Sequence, residues 1–457
     1  MSKFVCRSLR NVATGFCVAL GISLFSGPVQ ATTIERVVSP GGIEAWLVED
    51  HSIPVVSLSL SFLGGSALDP ADKPGLAAMV SSLIDEGAGD LDSKAFQKRL
   101  ADLSISLNFE VDLDAFSGQL KTLRENTKEA FSLLALALNE PRFDSEPIER
   151  IRGQFMTGFA FRDEDPGDIA NRAWFEAAFP DHPYGRTSGG EPEGVAAVTA
   201  ADMKDFIARR FGRDVLVIGV AGDITAAELA PLLDATFGEL PSNAASFEVA
   251  EAEASAGGVI IIEKDNPQST VRFGENGIKR NHPDFFAARL LNYVLGGGGF
   301  NSRLTEEVRE KRGLAYSIYS YLQPQAHGAL ISGGVGTENS RVAETIDIIR
   351  QEWRRLVEEG ISDEELKNAK TYVTGSFPLQ LTSTGRIARM LVTIQYFDLG
   401  IDYLDRRDGI INAVTQEDVK RVARHLFDAD DLLFVIVGRP EGIEQTRPPP
   451  SRFAGQG

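Results

Sequence analysis

Past residue 17 the chain has no cysteine. Its only two, Cys6 and Cys17, lie in the first 31 residues, so a chain trimmed there can form neither a disulfide nor a thiolate metal site. Histidine is nearly as scarce. His51, His182, His282, His327 and His425 come no closer to one another than 45 positions, so no two can chelate a metal from one helical turn. A site assembled from distant histidines and carboxylates stays open at this level. His182 and His282 each precede proline, which places them in turns. Beyond the first segment no apolar stretch is long enough to cross a bilayer. Basic residues are outnumbered, 46 against 65, for a formal charge of −19; losing Lys3, Arg7 and Arg10 with the first 31 residues takes it to −22. Such a surface repels nucleic acid and anionic lipid and could attract cationic peptides.

What is present begins with an export signal. Lys3, Arg7 and Arg10 precede a largely apolar run over 12–25, Gly27-Pro28 breaks it, and Val29-Gln30-Ala31 offers a small-x-small cleavage site. The spacing predicts a secretory signal over 1–31 and a periplasmic mature protein with no membrane span. Cys17 lacks the small-residue flank of a lipoprotein signal.

The strongest organisational feature is an internal repeat. Val198-Thr199-Ala200-Ala201-Asp202 and Val414-Thr415-Gln416-Glu417-Asp418 each read as a capped helix start followed by an apolar strand, ending at Gly222 and Gly438. Thr199 to Thr415 and Gly222 to Gly438 are both 216 positions. Ser145 to Ser362 and Gly158 to Gly375 are both 217. A period this long means duplicated domains rather than a solenoid. Residues 32–243 form one half and 259–446 the other. The small, acidic stretch 244–258 reads as a linker, and 447–457, opening Arg447-Pro448-Pro449-Pro450, as a disordered tail. Period-two alternation predicts strands near 53–62 and 116–120, and helical spacing predicts helices over 130–138 and 343–357. The fold class is α+β: two homologous halves, each of two α/β layered domains with mainly antiparallel sheets, covered by helices on one side.

Three segments carry a family resemblance. They are the helix start Gly75-Leu76-Ala77, the turn Phe179-Pro180-Asp181-His182-Pro183-Tyr184-Gly185, and an ordered set in the second half. That set runs Leu295-Gly296-Gly297-Gly298-Gly299-Phe300-Asn301-Ser302-Arg303-Leu304, then Val308-Arg309-Glu310-Lys311-Arg312-Gly313-Leu314-Ala315-Tyr316. Nearly the whole mature chain resembles the pitrilysin/insulinase-type metallopeptidases, in the short two-half form shared with mitochondrial processing peptidase. In that family a His-x-x-Glu-His helix holds zinc. Here Ala78, Ser81 and Ser82 stand at the two His and the Glu positions. A methyl and two hydroxyls neither bind zinc nor activate water. The third ligand, a Glu in the family, falls near Thr157 and Gly158.

The resemblance also implies what is kept. Arg309 and Tyr316 match the family's Arg/Tyr pair, in which the phenol donates to the oxyanion of the attacked amide and the guanidinium holds a carbonyl or carboxylate. Gly313 is expected to end the helix after Arg312, and 314–321 to form a strand that must return the phenol to the guanidinium. The run Gly296, Gly297, Gly298 and Gly299 lacks the Gly-Lys-Ser/Thr of a phosphate loop. It would let an extended peptide approach, or serve as a gate or a flexible connection. The expectation is a non-zinc subunit, inactive alone and carrying no cofactor, of a two-component periplasmic zinc peptidase. It would supply Arg309, Tyr316 and the glycine loop to a homologous partner bearing His-x-x-Glu-His and the zinc, with peptides as substrate. The alternative is a non-enzymatic peptide-binding or assembly protein on the same fold.

Overall fold

Alternating apolar side chains build two sheets, one in each half. The structure, a computed structural model, describes residues 33–255 and 257–454; the predicted signal over 1–31 lies outside them. The first half contains β1 (Glu35–Val38), β2 (Glu44–Glu49), β3 (Val55–Leu63), α1 (Leu76–Leu83), α2 (Ser93–Asp102), β4 (Ser106–Val111), β5 (Ala115–Leu123), α3 (Thr127–Asn139), α4 (Ser145–Glu164), α5 (Pro166–Ala178), α6 (Pro192–Ala197), α7 (Ala200–Arg210), β6 (Leu216–Gly222) and α8 (Ala226–Phe237). The second contains β7 (Gly258–Glu263), β8 (Gln268–Asn276), α9 (Phe285–Asn292), β9 (Ala315–Pro324), β10 (Ala329–Glu338), α10 (Val342–Glu359), α11 (Asp363–Gly375), α12 (Thr384–Tyr396), α13 (Tyr403–Ala413), α14 (Gln416–Leu426) and β11 (Leu433–Gly438).

The strand orders are β1-β2-β6-β3-β5-β4 and β7-β11-β8-β10-β9. Apart from the added edge strand β1 they are the same order, and in each only one pair is parallel, β2 with β6 and β7 with β11. The duplication read from the sequence is therefore a duplication of topology, and the expected two layers per half resolve to one sheet per half. Thr199 and Thr415 both cap helices, accepting from the Asp202 and Asp418 amides at 3.2 and 3.1 Å. Gly222 and Gly438 both close their strands at positive φ, 130° and 151°. The second pair is less regular: Ser362 caps α11 with its side chain, but Ser145 is already the first residue of α4, behind Asp144.

The expectation of helices on one side of each sheet needs correction. The central strands are buried on both faces, because each half sends one helix across to the other. The helix α12, from the second half, lies on β3 and β6, and α5, from the first, lies on β11 and β8. On the first sheet Trp46, Val48 and Ala221 pack with Ile387, Ala388 and Leu391 of α12, while Leu47, Val220 and Ile218 face the core of their own half. On the second, Ile260, Ile262, Leu433 and Val435 meet Ala170, Ala173 and Trp174 of α5. Small residues let the crossing helices close in. Ser57, Ser59 and Ser61 of β3 are buried, and Ser57 Oγ lies 2.8 Å from Thr384 Oγ1 of α12. At Gly219 a methyl group would collide with the Ala388 carbonyl, and at Gly274 with the Trp174 ring.

The linker and the tail also differ from expectation. The Ala244 and Ala245 amides donate to Asp214 and to the Arg209 carbonyl, those of Ala252 and Ser255 to the His327 and Ala178 carbonyls, and Phe247 lies against Arg209 and Arg210. Low apolar content does not loosen a segment whose backbone has partners on both halves. The tail is placed through Ala454. Phe453 is buried, and Arg452 pairs with Glu176 and Glu191.

One buried acid gives the fold a pH signature. Glu275 of β8 is 4 % exposed and accepts from Trp353 Nε1 and the Asp428 amide. Burial pushes its carboxyl up to about 8, against those two donors. A folded value above the unfolded one means the acid favours folding when protonated. Its contribution is complete below the unfolded pKa of 4.5 and is lost as pH rises through 8. The expected result is that the Tm of Glu275→Gln, relative to the parent, climbs between pH 5 and pH 8.5 in paired thermal melts. A constant difference would contradict this assignment.

Candidate functional site

The helix α1 starts where Gly75, at φ 106°, turns the chain and Asp69 accepts from the Gly75 and Ala77 amides. A carboxylate at a helix N-terminus satisfies free amides and complements the helix dipole. Ala78 and Ser81 are buried and Ser82 is half-buried. Ser81 Oγ is spent on the Ala78 carbonyl at 2.9 Å. The neighbouring α4 packs on α1, and there Thr157 Oγ1 donates to the Gly153 carbonyl while Gly158 offers no side chain. These residues do not fit a zinc ion. Among the described residues no group of three or more His, Cys, Asp or Glu is placed to hold a metal. The histidines have other partners: His182 and His282 accept backbone amides in turns, and His51 meets Asp223.

The second half is built differently at the matching place. The helix α9 widens into a π turn over Tyr293–Gly297, and a second π turn spans Thr305–Glu310. Such turns are frequent at functional sites. Between them runs the glycine loop. Gly296 is buried against β9, where a methyl group would strike Ser320, so close approach requires the glycine. Gly297 and Gly299 are exposed and Gly298 half-buried; Gly299 alone of the four has positive φ, 58°. Ser302 bonds back to the Gly299 carbonyl at 2.8 Å. Arg303 is 7 % exposed and holds Glu365 through Nε and Nη2, each at 2.8 Å, and the Gly360 carbonyl at 3.0 Å. Burial pulls the Glu365 carboxyl up, but Arg303 and the Ser362 amide outweigh it and hold it below its ordinary value. The Ser-Arg-Leu segment thus anchors the loop to α11.

Arg309 and Tyr316 do come together. The second π turn ends in a left-handed Gly313, at φ 60°, with Gly313 N donating to the Arg309 carbonyl at 3.0 Å and Leu314 N to that of Val308 at 2.8 Å. This is a glycine helix stop, widened by the π geometry. It sends the chain straight into β9 and brings Tyr316 back over the helix. The Arg309 guanidinium carbon lies 4.9 Å from the Tyr316 ring centre and 4.5 Å from that of Phe300. The pair is joined by stacking rather than by a hydrogen bond, and Phe300 closes the other face of the cation. Phe300 had been read only as part of the loop. An aromatic following four glycines was the signal that could have marked it. Tyr316 is 84 % exposed, and its hydroxyl makes no hydrogen bond within the described residues. Arg309 makes one ion pair, to Glu310 at 3.3 Å. The site therefore presents a fixed cation and a free phenolic donor to solvent, at one end of a long sheet-edge strand.

Comparison with known proteins gives the family of the chain. Residues 45–190 match the family model described as insulinase (peptidase family M16), and residues 197–373 match that of the peptidase M16 inactive domain. The chain is 26 % identical to a non-peptidase homolog, YmxG, of Helicobacter pylori, over 92 % of this chain and 98 % of that one. It is 24 % identical to a probable mitochondrial-processing peptidase subunit beta of Schizosaccharomyces pombe, over 83 % and 85 %. The crystal structure of a peptidase M16 inactive domain from Pseudomonas fluorescens superposes with a TM-score of 0.84 at 26 % identity, covering 92 % of this chain and all of that one. The chain belongs to the insulinase family of peptidases, M16, as a homologue whose zinc helix has lost its ligands.

Proposed function

We propose that this protein is the non-zinc subunit of a two-component peptidase exported to the periplasm, where it lends Arg309 and Tyr316 to a homologous chain bearing His-x-x-Glu-His. One observation carries the reading: the residues for a nucleophile are gone from α1 and α4, while an accessible phenol and a fixed guanidinium remain side by side with no internal use for the hydroxyl. The partner generates the attacking group. This chain binds the peptide and stabilises the negative charge that develops on the attacked carbonyl oxygen. Peptides rather than folded domains fit this role, because the site lies on an edge strand that extended chains can follow.

Arginine substitutions separate this reading from a purely structural one. In a reconstituted mixture Arg309→Ala is expected to lower kcat/KM for a fluorogenic peptide about 10- to 100-fold, the worth of a charge-assisted hydrogen bond. Arg309→Lys should recover part of it. Unchanged cleavage by both variants, with the subunits still assembled, would leave an assembly or peptide-binding role.

A further inference from the structure

The β4–β5 and β9–β10 hairpins hold the same place in the two sheets, and their turns meet between the halves. Asp114 of the first turn accepts from the Ala326 amide of the second at 3.0 Å and from the Tyr184 hydroxyl at 2.5 Å. That hydroxyl in turn accepts from the His327 amide at 2.9 Å. Beside this contact opens a cleft of about 550 Å³, walled by both turns, by α5 and by the end of α12. Neither Arg309 nor Tyr316 lines it.

Its polar groups are incompletely used. Gln325 is 7 % exposed, its carbonyl oxygen is enclosed, and neither end of its amide has a hydrogen-bond partner among the described residues. A buried amide left so is costly, and a ligand that bonds it recovers the loss. Tyr396, half-buried at the end of α12, has a hydroxyl bonded to nothing among the described residues. Asp112, exposed at the mouth, spends Oδ1 on the Asp114 and Ala115 amides at 2.7 and 2.8 Å, and its Oδ2 has no partner there. The carboxylates also lack a counter-charge: neither Asp112 nor Asp114 makes an ion pair among the described residues. The two arginines of the wall are engaged elsewhere, Arg172 with Asp163 at 2.6 Å and Arg186 with the Asp69 carbonyl at 3.3 Å. Burial first, then the charges of Asp114 and Asp112, push the Tyr396 phenol above its ordinary pKa, with no cation to offset them.

We propose that this cleft binds an alkylammonium ion, its head group held by Asp112 and by the Gln325 and Tyr396 oxygens, its aliphatic chain lying along Phe397. An ammonium group has three donors and no acceptor, which suits a free carboxylate oxygen, an amide that can turn its oxygen inward and a phenolic oxygen. The Tyr396 and Phe397 rings, edge to face at 4.7 Å, add faces that favour a cation and its apolar stem.

Isothermal titration calorimetry on the full mature chain, at fixed ionic strength, tests this and needs no second subunit. Cadaverine should bind at one site per chain with a Kd of roughly 1 mM or tighter. The peptide acetyl-Gly-Lys-Gly-amide in a parallel arm tells a free amine from a lysine side chain, since only the second must carry its backbone past the mouth. Asp112→Asn keeps the Oδ1 acceptor of the turn and should weaken binding about 10-fold. Tyr396→Phe leaves no partner unsatisfied and should weaken it several-fold. Gln325→Leu should also bind less well, yet melt no lower than the parent, because an unused buried amide has gone. Tetraethylammonium, which has the charge but no N–H donor, should not saturate the site. No saturable binding of either amine by calorimetry or by thermal melts, equal binding of tetraethylammonium, or undiminished affinity in the three variants would overturn the assignment.

Discussion

Tyr316→Phe, assayed in an equimolar mixture with a His-x-x-Glu-His-bearing homologue, should cut peptide cleavage about 100- to 1000-fold while leaving assembly intact. Loss of one oxyanion donor removes roughly 3 kcal/mol of transition-state stabilisation, and each 1.4 kcal/mol is a factor of ten. The substitution is clean here. The hydroxyl bonds nothing within the described residues, so its removal leaves no partner unsatisfied, and the ring that stacks on Arg309 is retained. The loss should fall on kcat more than on KM, because the phenol acts where charge develops rather than where substrate first binds. A fall in KM-dependent binding alone would assign Tyr316 to docking.

Arg303→Ala should be the most damaging single change to the second half, costing about 3 kcal/mol and several degrees of Tm. The guanidinium is nearly enclosed. Its removal strands Glu365, whose side chain is 31 % exposed and therefore only partly rescued by water. The Gly360 carbonyl loses its donor as well. Glu365 also accepts the Ser362 amide that starts α11, so the helix cap weakens with the ion pair. Arg303→Lys should recover less than half, since one ammonium cannot span two carboxylate oxygens and a carbonyl. Urea unfolding of the three proteins provides the comparison. Equal stability of parent and Arg303→Ala would mean that the motif serves something other than this anchor.

Much of this was legible in the residues. Equal offsets between Thr199 and Thr415, and between Gly222 and Gly438, come from the same cap and the same strand end in two copies of one topology. The missing ligands at Ala78, Ser81 and Ser82 were plain because zinc chemistry admits few side chains. What local pattern could not show was long-range exchange. The serines of β3 look like a solvent face, yet they are buried by α12, which follows more than 300 residues later. The tail looked disordered from its prolines, but Phe453 and Arg452 find partners on the first half. The return of Tyr316 to Arg309 depended on the π-widened turn at Gly313, a geometry that spacing of seven does not specify. Arg303 read as part of a motif, and only its fork on Glu365 shows that it works by holding the loop.

The most direct measurement is hydrolysis of a fluorogenic peptide by three samples: this chain alone, a zinc-bearing M16 homologue of the same organism alone, and the two mixed. The account predicts no cleavage in the first, little in the second, and robust cleavage in the third. Zinc-dependent cleavage by this chain alone, or a homologue fully active without it, would contradict the claim that one subunit makes the nucleophile while the other grips the amide.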